Sequence, residues 1–160
     1  MPATFEGFGI RFLYPENWTQ LPREEDEGDT GVTLEMPGGG FVSLEMVPVT
    51  RTDDIVIEEI SQSLRENYDD VEQESIDLSL LSDDDRAWDF RFYYLDLLVV
   101  SRAVLMEPPM AARQTTPLAG RLLFQAQAES REFDANEPVM MAIIKQVLDS
   151  IESEESEPEV

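Results

Sequence analysis

Neither cysteine nor histidine occurs anywhere in the chain. The first absence removes disulfides, thiolate nucleophiles and cysteine-based zinc sites. The second removes the commonest general base and the commonest metal ligand. Serine and threonine hydroxyls therefore have no imidazole to activate them, and the sole lysine, Lys145, is a poor base. Positive charge is scarce: 11 basic residues face 35 acidic ones, for a formal net charge of −24. The basic residues are scattered, so the chain lacks the clustered cations that binding a polyanion requires, and neither nucleic acid nor an anionic membrane surface is expected as a partner. Long apolar runs are missing as well. The longest candidate, LDLLVVSRAVLM at 95–106, contains Asp96 and Arg102 and falls short of the ~20 residues of a spanning helix. The opening MPATFEGFGIRF has neither the basic nor the apolar segment of an export signal. A soluble cytoplasmic protein without membrane insertion is the expectation.

What is present suffices for one folded domain. The chain has 160 residues, of which 42% are hydrophobic, and a domain of this length buries roughly 70% of its unfolded surface. The acidic excess reads as a solvated surface, with steering of cationic partners and salt adaptation as further readings.

Period-two alternation dominates the pattern. In FGIRFLYPENW (8–18), Phe8, Ile10, Phe12 and Tyr14 fall on one side of a strand, PEN turns the chain, and Trp18 begins a short extended piece ending near Leu21. GVTLEM and FVSLEMVPV flank the turn PGGG as an antiparallel pair, with Val32, Leu34, Met36, Val42, Leu44 and Met46 on one face. The period then lengthens. Ile57, Ile60, Leu64 and Tyr68 mark an amphipathic helix over 53–68, capped by Thr52 or Asp53. Strands resume in ESIDLSLLS (74–82), AWDFRFYYL (87–95), the doubly apolar LLVVSRAVLM (97–106) and GRLLFQAQA (120–128). A closing helix follows in FDANEPVMMAIIKQVLDSI, with Asp134 and Glu137 as a capping-box pair and Pro138 in its first turn. The order predicts an α+β domain over 1–151, an antiparallel sheet with two main helices packed on it, followed by an acidic disordered tail at 152–160.

Few residues stand out as a site. Phe8, Phe12, Trp18, Trp88, Phe90, Phe92 and Phe124 fit a core better than a ligand-lining cluster. Tyr93 breaks the parity of its strand, which makes it, ahead of Tyr14 and Tyr68, a candidate contact residue. The acidic stretches 24–29 and 83–85 lack the spacing of a calcium loop, and MPGGGF joins two strands without the lysine of a phosphate cradle. With 35 acids, paired carboxylates arise by chance. The stretch 107–120 exceeds hairpin length and is locally the least acidic, so Met110 and Arg113 within it are candidate partner contacts, against the plainer reading of a linker. No catalytic, metal or cofactor residue is assigned.

The FGIRFLYPENW opening, the hairpin, the helix, the run of strands, LFQA and the REFDANEPVMMAIIKQVLDSI ending together resemble the PsbP/Mog-like family over about residues 5–151. The resemblance implies an antiparallel sheet sandwiched between helices. It also implies a binding or assembly role, since family members serve as photosystem subunits, Ran-binding factors and chaperones of secreted effectors. The expected function is a non-catalytic protein-binding or assembly module without a cofactor, recognising its partner by surface contact. A chaperone for a hydrophobic segment of a secreted client is the alternative, and a small-molecule carrier or enzyme comes after it.

Overall fold

A computed structural model describes residues 1–22, 30–115 and 118–156, with side chains to Asp149 apart from that of Thr115. It is an α+β fold. Seven strands form one antiparallel sheet in the order β3-β4-β5-β9-β8-β7-β6. They are β3 (Thr19–Gln20), β4 (Gly31–Glu35), β5 (Phe41–Pro48), β6 (Glu72–Ile76), β7 (Arg86–Tyr94), β8 (Leu97–Met106) and β9 (Ala119–Glu129). A separate hairpin pairs β1 (Ala3–Gly7) with β2 (Ile10–Tyr14). Helix α1 (Asp53–Asn67) lies on one face of the sheet, and α3 (Ser130–Ser156), accompanied by the β1–β2 hairpin, on the other.

Alternation in the strands produces two cores. The larger joins Leu34, Leu44, Val104 and Phe124 of the sheet to Phe12 of the hairpin and Met140, Ile143 and Ile144 of α3. The smaller seats Val56 and Ile57 of α1 against Trp88, Phe90, Phe92 and Leu105. Fully burying side chains of this size contributes about 1.5–3 kcal/mol each. The Thr52 hydroxyl caps α1 by accepting the Ile55 N–H at 3.3 Å.

Four expectations need correction. The first strand is a hairpin, turning at Phe8 and Gly9, both with positive φ. Strand β6 ends at Ile76 instead of running to Ser82, and Leu78 and Leu80 belong to an irregular segment packed on the larger core. The capping carboxylate of α3 is Glu129, which accepts the N–H groups of Arg131 and Glu132, so Asp134 lies inside the helix and Pro138 beyond its first turn. Within the stretch 107–120, residues 110–115 form α2 (Met110–Thr115), whose Ala112 is buried. The acidic stretch 24–29 and the end of the expected tail, 157–160, lie outside the described residues.

Candidate functional site

Strands β7 and β8 meet in a two-residue turn, Leu95–Asp96, closed by the pair Tyr94 and Leu97. Both turn residues have positive φ, 49° and 65°. This is the turn geometry for which Asn-Gly is the relaxed sequence. A leucine there carries a strain of about 1–2 kcal/mol.

The turn nevertheless holds four large apolar side chains in water: Tyr93, Tyr94, Leu95 and Leu97 are all exposed, Leu95 by 77%. Its base is firm. Phe92 is buried and stacks on Tyr68 with ring centroids 4.2 Å apart, and Tyr68 meets Tyr94 edge-on at 5.9 Å. The apolar tip is thus a rigid projection beyond the C-terminal end of α1.

A second feature lies on the α1 face of the sheet. Cross-strand partners share a face, and the register lines them up in rows. One row runs Thr33, Ser43, Gln125, Ala103, Trp88, and the next runs Glu35, Phe41, Gln127, Ser101, Phe90. Apart from Phe41, each is polar through β4, β5 and β9 and ends on a tryptophan or phenylalanine of β7 under α1. The helix covers β7, β8 and the Val47 and Leu123 end of β5 and β9, leaving Thr33, Ser43, Gln125 and Gln127 half-exposed. The result is a trough, with a groove of about 380 Å³ between that open floor and the Arg51, Glu59, Ile60 and Ser63 side of α1.

The residues singled out from sequence are not brought together. Tyr93 is 63% exposed and stands on the apolar tip. Met110 and Arg113 sit on α2 beyond the far end of β8, whose ten residues separate the two places by about 30 Å at ~3.3 Å per residue. Arg113 is engaged by Glu107 at 2.9 Å. Tyr14 packs against the larger core, and Tyr68 belongs to the aromatic stack. Leu95 and Leu97 were missed. Their sequence signal is the lone Asp96 in an apolar run, which reads as part of a strand until the two-residue turn is recognised.

A buried charged cluster sits on the opposite face. Arg102 donates two hydrogen bonds to Asp89, at 2.8 and 3.0 Å, and both residues are buried. Its guanidinium also meets Glu137 of α3 at 2.9 Å and lies 5.0 Å from the centre of the Phe133 ring. Burial alone would lower the Arg102 pKa. The hydrogen bonds and negative charge of Asp89, with those of Glu137, outweigh it and hold the group above its ordinary value. The arrangement is an electrostatic tie between sheet and α3. In the acidic turn at 83–85, Asp85 accepts hydrogen bonds from Ser82 and from the Glu107 N–H. No helix of the described residues is long and apolar enough to cross a membrane.

No protein-family description matches the sequence, and no curated protein matches it. Among solved structures the chain is similar to PA94, a protein of unknown function from Pseudomonas aeruginosa, at 8% identity and a TM-score of 0.49, covering 90% of this chain and 94% of that one.

Proposed function

We propose that the chain is a non-catalytic protein-binding module that engages its partner through the β7–β8 tip. One observation carries the reading: Tyr93, Tyr94, Leu95 and Leu97 are held in water by a turn whose conformation disfavours leucine. Stability alone would favour Asn-Gly at the turn and polar residues around it. Aromatic and aliphatic anchors on a preorganised base are what a binding surface needs, because little conformational freedom is lost when they dock. The net charge of −24 speeds encounter with basic partners. The resemblance to the PsbP/Mog-like family implies a role of the same kind.

The apolar tip also favours a second reading, a chaperone holding a hydrophobic segment of a secreted client. The two differ in whether the captured partner is folded, which limited proteolysis of the complex reports.

The test is affinity capture from native lysate with the full chain, comparing the wild type with Leu95→Asn and with Met110→Ser. A stoichiometric partner is expected on the wild type and on Met110→Ser, and it is expected to fall by about tenfold or more on Leu95→Asn, as for loss of a central anchor. Equal retention by Leu95→Asn overturns the assignment of the tip. A wild-type bait without a stoichiometric partner overturns the binding reading itself.

A further inference from the structure

We propose that the trough beside α1 is a second docking surface, built to receive a basic α-helix of a protein partner. It is separate from the apolar tip and goes beyond that reading.

The first argument is width. The α3 face of the sheet is covered by a helix and a hairpin, whereas on the other face α1 covers β7, β8 and the Val47 and Leu123 end of β5 and β9. Strand β4 and the rest of β5 and β9 form the remainder. Their spacing of ~4.8 Å gives a floor about 10–14 Å across, which matches the ~10 Å diameter of one helix. A sheet face in this position takes a helix laid on it. An added strand would need a sheet edge, and the long edge strand, β6, lies on the far side of α1.

The second argument is chemistry. The open floor is uncharged and rich in hydrogen-bonding groups, with Thr33, Ser43, Gln125 and Gln127 in adjoining rows and Phe41 among them. Its borders are acidic. Glu35 and Glu45 share the same face by register, and Glu59 rises from α1. The cation lining the groove, Arg51, is bonded to Glu59. A helix with small or amide-bearing residues toward the floor and Lys or Arg along its flanks complements this surface. A helix with acidic flanks is repelled. A second copy of this chain would bring the same acidic borders to the contact.

The experiment places a photo-crosslinking p-benzoylphenylalanine at Gln125 or at Ser43 in the full chain in native lysate, with Asp77, an exposed residue beyond β6, as the control position. Adducts are mapped by mass spectrometry. The expected result is one partner segment of net positive charge, attached at positions three or four residues apart from both sites and absent from the control. Charge then tests the recognition. With the crosslinker at Ser43, Gln125→Arg is expected to lower adduct yield by about tenfold, as like charges do at an interface, and Gln125→Glu to maintain or raise it. Attachment to a second copy, to residues 23–29 of the same chain or to an acidic segment overturns the proposal. So does a yield no higher than the control, or an equal loss in both Gln125 variants. Because Leu95 is unaltered throughout, these outcomes are distinguishable from failure at the tip.

Discussion

Replacing Leu95–Asp96 by Asn-Gly should make the protein more stable and less able to bind. Leu95 has φ 49° and Asp96 φ 65°. The left-handed conformation disfavours leucine by about 1–2 kcal/mol, whereas asparagine and glycine adopt it readily. Against this stands the apolar contact that Leu95 gives up. It is 77% exposed, so about a quarter of a leucine's burial is lost, roughly 0.5 kcal/mol. The extra freedom of the introduced glycine in the unfolded chain removes a few tenths more, on the order of half the Gly–Ala difference. The net gain is about 0.2–1.2 kcal/mol, which at this chain length raises Tm by up to roughly 5 °C. Thermal melting by circular dichroism reads the first effect, and partner capture on the same preparation reads the second. A Tm that is unchanged or lower would refute the argument that the turn is strained. A higher Tm with undiminished capture would refute the argument that the strain is retained for binding.

Other perturbations probe the frame around these surfaces. A Cβ on Gly9, where φ is 79°, would sit 2.3 Å from backbone atoms of Ala111 and Ala112. Gly9→Ala should therefore displace α2 and destabilise by about 2–4 kcal/mol, measured by urea unfolding; a loss below about 1 kcal/mol would show that α2 is not seated on this turn. Asp89→Asn leaves Arg102 buried with Glu137 as its remaining carboxylate, so a loss of about 3 kcal/mol is expected in the same assay, and a neutral result would sink the tie. Because the Arg102 pKa is raised in the fold, its contribution is fully present below the unfolded arginine value and is lost only as pH rises through the still higher folded one. Stability should accordingly show no step from this group across the neutral range, as a pH series of melts would reveal. With a net charge of −24, Tm should climb from low salt to molar KCl as self-repulsion is screened; a flat response would mean that the acidic surface carries little repulsive energy.

The elements legible in the sequence were those whose periodicity and burial coincide. Val32, Leu34, Met36, Val42, Leu44 and Met46 alternate in sequence and are all buried. Ile57 and Leu64 mark the inner stripe of α1, with Val56 added to it. The misreadings arose where one pattern concealed two structures. Phe8 continues the alternation of Ile10 and Phe12 yet occupies a turn. Leu78 and Leu80 continue that of Ile76, but contact with the larger core holds them outside any strand. Pro138 suggests a helix start, but it lies well inside α3, where it removes the donor to the Asp134 carbonyl. At the apolar tip, the parity break of Tyr93 was visible. Leu95 and Leu97 were not, because two apolar strands abut across a turn without glycine. The trough could not be read from any one stretch. Its floor is assembled from Thr33, Ser43, Gln125 and Gln127, and only strand order and register place these side by side.

The seating of the β1–β2 hairpin also has a consequence for how the chain is made. Gln146 of α3 donates to the Leu13 carbonyl at 3.2 Å and accepts the Leu13 N–H at 2.8 Å, across a sequence separation of 133 residues. At 5–20 residues per second, a ribosome needs on the order of ten seconds to bridge that interval. Until α3 emerges, Phe5, Ile10 and Phe12 lack the Met140, Ile143 and Ile144 side of their core. A two-stranded hairpin is marginal by itself, so this segment, made before α3, is not fixed until α3 follows it. Its burial reports that translation of the domain has reached its final helix.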